Sequence, residues 1–205
     1  MRLERNFVNG QFVDPASDAL IAVYNPATEA LVGHVSAATA EEATAAVDAA
    51  AIAQKTWGTL TSIERGEHLR AFADALEANA RSIGAALAAE SGKSVEDASN
   101  EARYAAQITR YHAEWARRVE GEVIESDTPD ETLMLKRTPI GVVACLIPFN
   151  FPVYTLVRKI APALITGNAV VVRPSTNTPS ANTRHTCAKN SIHNPKAYSN
   201  TPTTN

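Results

Sequence analysis

Two continuous apolar segments with a helix between them constrain the fold of this chain most strongly. Ile140 to Ile147 is the first segment, Ala169 to Val172 is the second, and a helix is predicted over Pro152 to Thr166. A proline in the first turn and Gly167 after the last turn are typical helix boundaries. Uninterrupted apolar segments rich in β-formers favour strands that are buried on both faces. Strand, helix and strand within about thirty residues predict one βαβ unit, with a parallel sheet and a right-handed crossover.

Short strands are predicted at both ends of the region before this unit. Asn9-Gly10 lies between apolar residues. It predicts a two-residue hairpin over Phe7 to Val13, because a type I′ turn needs positive φ at both central positions. The other predicted strands cover Leu31 to Val35, Glu122 to Glu125 and Thr132 to Lys136, and the last two flank a turn at Asp127 to Asp130.

Four helices are predicted between these strands. Thr39 and Thr61 each begin a capping box, in which the Thr hydroxyl and a Glu three residues later satisfy the first unpaired N–H groups. Gly92 marks the end of the third helix, since glycine is the usual residue just past a helix C-terminus. The four predicted helices begin after Thr39, after Thr61, at Ala80 and after Ser94, and the first, third and fourth end near Gln54, Glu90 and Arg118.

The composition is that of an ordinary soluble globular protein. The chain has 205 residues, of which 45% are hydrophobic and 20% are charged, and this length is enough for a sizeable core. The longest apolar stretch, Ile140 to Phe149, is far shorter than the ~18 residues that span a bilayer. The N-terminus lacks the apolar segment of a secretory signal, and two cysteines make no disulfide framework. We therefore expect a reducing, cytoplasmic location without membrane contact.

The charge is unevenly distributed along the chain. Residues 132–205 carry eight Lys and Arg and no acidic residue, while residues 1–131 carry the other 11 basic residues and all 22 acidic ones. Such asymmetry occurs in nucleic-acid-binding arms. Here the basic residues are scattered singly or in pairs, without a run and without interleaved aromatics. The pattern favours a site for a small ligand that bears phosphate, and no nucleic-acid partner is expected.

Residues 183–205 are predicted to be a disordered tail. The segment is rich in Thr and Asn, contains two prolines and shows neither helix nor strand periodicity. It cannot bury enough apolar area to offset the entropy of ordering it. Cys187 lies there with His185 and His193, but their spacing does not match a zinc site, so no metal is expected.

Polar residues follow both strands of the βαβ unit. Asn150 comes after the first strand, and Arg173 and Ser175 come at the end of the second. Ligands of open parallel sheets bind at the carboxyl ends of the strands. A side-chain amide there can donate to a developing oxyanion without changing its protonation, and Arg and Ser can donate to ribose or phosphate oxygens. Spacing alone leaves two simpler alternatives open: Asn150 caps the helix, and Arg173 is a solvated cation.

Several ordered motifs resemble those of the NAD(P)-dependent aldehyde dehydrogenase superfamily. In the βαβ unit they are Pro148-Phe149-Asn150-Phe151-Pro152, Lys159-Ile160-Ala161-Pro162-Ala163-Leu164, Gly167-Asn168 and Arg173-Pro174-Ser175-Thr176. Upstream they are Val8-Asn9-Gly10, Asn25-Pro26-Ala27-Thr28 and Glu90-Ser91-Gly92-Lys93. The resemblance covers roughly residues 5–182, and residues 114–124 are similar to the lactaldehyde/glycolaldehyde dehydrogenase branch.

The resemblance implies an α/β fold with three parts. Residues 1–138 would form a helical and β-hairpin region in which the strands from Glu122 to Lys136 belong to an oligomerisation arm. Residues 139–182 would form the opening βαβ unit of a Rossmann-like parallel sheet, and residues 183–205 the tail. In this family the full-length protein is a homo-oligomer.

The resemblance also implies a mechanism and roles for the site residues. A cysteine thiolate attacks a small aldehyde, an Asn amide holds the thiohemiacetal oxyanion, hydride passes to NAD or NADP, and a Glu assists hydrolysis of the thioester. Asn150 takes the oxyanion role. The residues expected at the cofactor are Ile147, Pro148, Phe149, Asn150, Arg173, Ser175 and Thr176.

Two departures from the family pattern affect the cofactor. Arg173 replaces a Lys, which keeps the charge but changes the reach and the donor geometry. Thr176 replaces a Glu, which removes a carboxylate acceptor for the ribose 2′-hydroxyl. Since that carboxylate would repel a 2′-phosphate, the change favours tolerance of NADP.

The family's nucleophilic Cys and general-base Glu are expected beyond the matched residues, so we expect this chain alone to be an inactive, truncated N-terminal fragment. Cys145 lies within an apolar strand, where an inert thiol is expected. A shifted reading frame would explain the abrupt change in the sequence pattern after Asn182.

The alternative function is that of a non-catalytic remnant that binds dinucleotide weakly or associates with full-length subunits. An unrelated dinucleotide-binding domain would need a G-x-G-x-x-G turn, which this sequence lacks.

Overall fold

A computed structural model of the chain describes residues 3–180. The strands in this range are β1 (Leu3–Glu4), β2 (Phe7–Val8), β3 (Gln11–Phe12), β4 (Leu20–Tyr24), β5 (Leu31–Ser36), β6 (Glu122–Glu125), β7 (Thr132–Leu135), β8 (Val142–Leu146) and β9 (Ala169–Arg173). The α-helices are α1 (Ala40–Thr59), α2 (Ser62–Ala78), α3 (Ala80–Ser91), α4 (Val95–Ala113) and α5 (Pro152–Ile165), and a short 3-10 helix, Glu114–Arg117, continues α4 toward its predicted end near Arg118. A helical region followed by a βαβ unit was predicted, and this α/β architecture is confirmed.

The N-terminal strands form small sheets. β2 and β3 pair antiparallel around Asn9 and Gly10, whose φ angles of 50° and 79° confirm the predicted hairpin turn. β5 lies between β1, with which it pairs parallel, and β4, with which it pairs antiparallel. β6 and β7 form a separate antiparallel hairpin, in which every strand residue is exposed.

The helix ends follow the predicted capping chemistry. Thr39 and Thr61 both make complete capping boxes, with Glu42 and Glu64 respectively. Gly92 ends α3 in the left-handed conformation, with φ 74°. α1 extends to Thr59, five residues beyond the predicted end, because its last turns are stabilised by contacts with the βαβ unit that its own sequence does not reveal.

The βαβ unit has the predicted parallel topology. β8 and β9 pair in parallel from Val142 opposite Ala169 to Leu146 opposite Arg173. Asn168 fixes the start of the unit, since its Oδ1 accepts from the Gly141 N–H at 3.0 Å and its Nδ2 donates to the Ala163 carbonyl at 3.2 Å. The Gly-Asn motif therefore has a structural role.

The prediction that the first strand is buried on both faces is wrong. Val143, Cys145 and Ile147 face the hydrophobic core, whereas Ala144 and Leu146 lie on the opposite face and are exposed, Leu146 by 63%. Within the described residues, the helices cover only one face of this two-stranded sheet completely. Among residues 3–180, the outer face of β8 is therefore left partly exposed despite its continuous apolar sequence.

One hydrophobic core joins the helices to the βαβ unit. It includes Trp57 of α1, Phe72 of α2, Ile83 of α3 and Leu156 of α5. The first three are 4% exposed or less, and Leu156 is 1% exposed. The predicted boundary between residues 138 and 139 is thus crossed by continuous packing.

The C-terminal end of α5 is held by side chains from α1 and α2. Trp57 Nε1 donates to the Leu164 carbonyl at 2.9 Å, and Gln54 Nε2 donates to the Gly167 carbonyl at 3.1 Å. Arg65 Nε donates to the Ile165 carbonyl at 3.0 Å. The bonds from Trp57 and Arg65 reach carbonyl groups of the last turn, which a helix end leaves without an i+4 partner, and the bond from Gln54 reaches the carbonyl just beyond the helix.

Among residues 3–180, no helix has the length and apolar character needed to cross a bilayer. The predicted disordered tail, residues 183–205, lies outside the described residues, as do Cys187, His185 and His193.

Candidate functional site

The carboxyl ends of β8 and β9 lie side by side at one edge of the sheet. Leu146 is opposite Arg173 in the parallel register, and the Ile147 N–H donates to the Arg173 carbonyl at 3.0 Å. The two loops that follow, residues 147–151 and residues 174–179, therefore begin next to each other. This is the arrangement in which open parallel sheets bind ligands.

Asn150 lies in the first loop and is exposed. Phe151 is the N-cap residue of α5, and no side-chain hydrogen bond from the cap is present. The N–H groups of Val153 and Tyr154 instead donate to Glu101 Oε1 of α4, at 2.9 and 3.2 Å. Asn150 therefore does not cap α5, and the simpler alternative for this residue is wrong.

The other residues of the first loop differ in exposure. Pro148 and Phe149 are exposed, Phe149 by 56%, as expected for residues that line a cleft. The Ile147 side chain is 3% exposed and packs in the core, so only its main chain lies at the strand end. Lys159 of α5 donates from Nζ to the Leu146 carbonyl at 2.6 Å, which ties the helix to the start of the loop.

The second loop combines a cation with a hydroxyl turn. Arg173 is exposed at the end of β9, and Thr176 is half-buried in the turn that follows. Ser175 is buried, and its Oγ accepts from the Asn177 N–H at 3.2 Å. A hydroxyl that accepts this bond keeps its own hydrogen for donation. With Lys159, Arg173 gives this edge two positive charges, which suits an anionic ligand such as a dinucleotide.

Sequence reasoning missed three side chains that shape the first loop: Lys93, Glu101 and Lys159. Lys93 and Lys159 stand within the resembling motifs but carried no assigned role. Glu101 had a usable indication, because it lies on the alanine face of α4 beside Ala98, Ala102 and Ala105, all of which are fully buried. A charged residue on such a face is rarely buried unless it is paired.

Cys145 is the one cysteine within residues 3–180, and it is 1% exposed. Burial raises the pKa of its thiol, and the Lys159 ammonium opposes part of that shift. A raised pKa leaves less thiolate at neutral pH, so this residue is poorly suited to act as a nucleophile.

The inertness of Cys145 is directly measurable in a Cys187→Ser variant, in which Cys145 is the single thiol. We expect the native protein to react with a chromogenic disulfide reagent about 100-fold more slowly than the urea-unfolded protein at pH 8, because the thiol is buried and protonated. Native and unfolded rates within about threefold of each other would contradict this.

Within residues 3–180, no group of three or more His, Cys, Asp or Glu side chains is placed so that it could hold a metal ion.

Comparison with known proteins places these loops in context. The model of the aldehyde dehydrogenase family matches residues 12–200, so the match extends beyond Asn182, where we expected the resemblance to end. The lactaldehyde dehydrogenase of Escherichia coli strain K12 is 43% identical over 173 residues, which are 84% of this chain and 36% of that protein.

Solved structures give the same result. A crystal structure of the E. coli lactaldehyde dehydrogenase matches with a TM-score of 0.85 and 42% identity, covering 87% of this chain and 38% of that one. The NADP-dependent glyceraldehyde-3-phosphate dehydrogenase of Bacillus halodurans, complexed with NADP, matches with a TM-score of 0.86 and 33% identity, covering 92% and 40%.

The chain thus spans less than half the length of each of these relatives. The residues that the family model matches include the paired strand ends, the Asn150 loop and the Arg173 loop. With a family model that matches most of its residues, the chain belongs to the aldehyde dehydrogenase family.

Proposed function

We propose that this chain supplies the oxyanion-binding loop and the ribose-binding loop of an NAD(P)-dependent aldehyde dehydrogenase that acts on a small aldehyde. The observation that carries this proposal is the parallel register of β8 and β9, because it brings the Asn150 loop and the Arg173 loop to one sheet edge. The exposure of Asn150, whose side chain is not needed as a helix cap, adds support.

Each residue has a distinct proposed task. The Asn150 amide donates to the oxygen of the aldehyde carbonyl as negative charge develops on it, and this needs no change in protonation. Arg173 and Ser175 donate to the ribose and phosphate oxygens of the dinucleotide, while Pro148 and Phe149 present apolar surface to it. NAD(P)+, when bound, supplies the hydride acceptor.

The chain on its own is proposed not to oxidise aldehydes. Cys145 is the cysteine that the described residues offer, and it is buried with a raised thiol pKa. A catalytic cysteine must instead be a partly exposed thiolate within reach of the carbonyl.

A fusion enzyme tests the proposed function. It joins the matched region of this chain to the part of E. coli lactaldehyde dehydrogenase that follows the corresponding region. We expect aldehyde-dependent formation of NADH or NADPH by the fusion and none by the isolated chain. A folded fusion that binds no dinucleotide would refute the proposal, and turnover by the isolated chain would refute its inactivity.

NADP+ is proposed to bind this chain at least as tightly as NAD+. Thr176 stands where the family pattern has a Glu, so no carboxylate opposes a 2′-phosphate at that position. We expect Thr176→Glu to weaken NADP+ binding about tenfold, which corresponds to ~1.4 kcal/mol, and to leave NAD+ binding equal or stronger, because the carboxylate can accept from the ribose 2′-hydroxyl. Calorimetric titration of both nucleotides measures this directly.

The matched control is Thr44→Glu, which adds the same charge at an exposed position of α1. It is expected to leave both affinities within about twofold of the parent, since exposed charges beyond a Debye length of ~8–10 Å are largely screened. A strong preference of the unmodified chain for NAD+ would overturn the NADP proposal.

Association with other aldehyde dehydrogenase subunits is a second candidate function. The β6–β7 hairpin favours it, because Val123 and Met134 are 72% and 80% exposed and lie opposite each other in the register. Exposed apolar pairs of this kind are typical of surfaces that meet a partner. Co-expression with a full-length relative and size-exclusion chromatography would test it, and two separately eluting proteins would speak against it.

A further inference from the structure

The N-terminal end of α5 lies directly behind Asn150. α5 begins at Pro152, two residues after Asn150, and its N-cap Phe151 makes no side-chain cap. The N–H groups in the first turn of a helix have no intrahelical partner and need one from elsewhere. The group that accepts hydrogen bonds from these N–H groups also fixes the point at which the preceding loop enters the helix.

The missing partner comes from a different helix. Glu101 of α4 accepts two hydrogen bonds with one oxygen, from the N–H groups of Val153 and Tyr154 at 2.9 and 3.2 Å. Its side chain is 3% exposed. A carboxylate at this position also interacts favourably with the positive end of the helix dipole.

Lys93 completes the arrangement. Its Nζ lies 2.6 Å from Glu101 Oε2 and 3.9 Å from the centre of the Phe151 ring, and its side chain is 22% exposed. A buried carboxylate is stable only when it is paired, and an ammonium over an aromatic ring gains a further attraction. One ammonium thus contacts both the capping carboxylate and the residue that follows Asn150.

We infer that Lys93 and Glu101 are positioning residues for Asn150, and that they act by fixing the first turn of α5 and the ring of Phe151. The inference depends on the proposed oxyanion role of Asn150. Lys159 holds the other end of the same loop through the Leu146 carbonyl. The five residues from Ile147 to Phe151 are therefore fastened at both ends, and these contacts fix the main chain that carries the exposed amide.

A purely structural role for the pair makes a different prediction. If Lys93 and Glu101 only helped α4 pack against α5, their loss would lower the stability of the whole chain and would affect all of α5 alike. A positioning role predicts a local change, confined to the first turn of α5 and to the Asn150 carboxamide. Amide hydrogen exchange separates the two cases, because it measures opening at individual residues.

The experiment uses the 205-residue chain labelled with ¹⁵N, with Glu101→Ala compared to the parent. We expect the Val153 and Tyr154 amides to exchange about tenfold faster, with Ile160 in the middle of α5 changed less than about twofold. The side-chain NH2 resonances of Asn150 are expected to shift. Glu101→Gln, which keeps an acceptor oxygen, should restore part of the protection.

The control is Glu96→Gln on the same helix. Glu96 pairs with Arg103 at 3.4 Å, and its side chain is 73% exposed. This variant should leave the exchange rates and the Asn150 resonances unchanged. Unaltered Val153 and Tyr154 exchange in Glu101→Ala, or equal acceleration along all of α5, would overturn the inference.

A second pair of variants tests the positioning role if Glu101→Ala does not fold. Lys93→Met removes the ammonium but leaves the carboxylate, whereas Lys93→Arg keeps a cation over Phe151. We expect Lys93→Met to shift the Asn150 and Phe151 resonances and Lys93→Arg to retain the parental positions. Identical spectra for the two variants would also overturn the inference.

Titration of the parent chain with NADP+ keeps this inference separate from the proposed function. If NADP+ does not bind while Glu101→Ala changes the loop as expected, the proposed function fails and the loop-holding contacts stand. If NADP+ binds and Glu101→Ala changes neither the amide exchange of Val153 and Tyr154 nor the Asn150 resonances, the positioning inference alone fails.

Discussion

Replacing Asn150 with alanine is expected to lower kcat of the fusion enzyme about 100- to 1,000-fold, which corresponds to ~2.7–4 kcal/mol of lost transition-state stabilisation. The amide is exposed at the strand end and is not needed as a helix cap, so its removal leaves α5 intact. The KM for the dinucleotide should change little, because the lost hydrogen bond strengthens only as charge develops on the carbonyl oxygen. Steady-state kinetics on the purified fusion measure both constants.

Two further variants sharpen this test. Asn150→Asp should be at least as inactive, since a carboxylate repels the developing oxyanion instead of donating to it. Asn100→Ala removes an exposed asparagine of α4 whose Oδ1 accepts from Arg103, and it should leave kcat within about twofold. An Asn150→Ala enzyme with nearly full kcat would remove the proposed role of this amide.

Trp57→Ala is expected to destabilise the chain by about 3–5 kcal/mol, the range found when a buried aromatic residue is truncated. The indole is 4% exposed, lies 5.5 Å from the His68 ring, and donates to the Leu164 carbonyl. The variant therefore loses packing in the centre of the core and one of the hydrogen bonds to the Leu164 carbonyl, which still accepts from the Gly167 N–H. Urea unfolding followed by far-ultraviolet circular dichroism measures the change without relying on tryptophan fluorescence.

Comparison with Trp57→Phe and Trp115→Ala divides this effect into its parts. Trp57→Phe keeps most of the ring but removes the N–H, so about 0.5–1.5 kcal/mol is expected from the lost hydrogen bond, because the Leu164 carbonyl still accepts from the Gly167 N–H. Trp115 is 38% exposed, and its truncation should cost less than about 1 kcal/mol. A similar loss for Trp115→Ala and Trp57→Ala would show that the indole at position 57 is not a central contact.

Local sequence chemistry was sufficient to predict most of the secondary structure. The two threonine capping boxes, the Asn-Gly turn and the left-handed Gly92 depend on side chains within a few residues, and all four are present as predicted. The error concerned burial of the first strand of the βαβ unit. An apolar pattern shows that both faces of a strand can be buried, but it does not show which elements pack against each face. The exposure of Leu146 could therefore not be predicted from the sequence.

The sequence was sufficient to predict which loops form the candidate site, but not which side chains contact those loops. Parallel topology follows from the pattern of strand, helix and strand, and it places Asn150 near Arg173 without further information. The contact of Glu101 with the first turn of α5 joins residues 52 and 53 positions apart in sequence, and no local rule indicates it. The roles of the seven proposed site residues and the boundary at 138/139 stay predictions.

Five of the side chains that hold the two ends of α5 precede it in the sequence, whereas Asn168, which donates to the Ala163 carbonyl, follows it. Glu101, paired with Lys93, accepts from its first turn; Trp57 and Arg65 donate to carbonyls of its last turn, and Gln54 donates to the Gly167 carbonyl just beyond it. As the polypeptide emerges from the ribosome, the receiving surface for this helix is thus already synthesised when the helix itself appears. Its contacts with these five side chains therefore need no later part of the polypeptide, which suits the N-to-C order in which domains fold during synthesis.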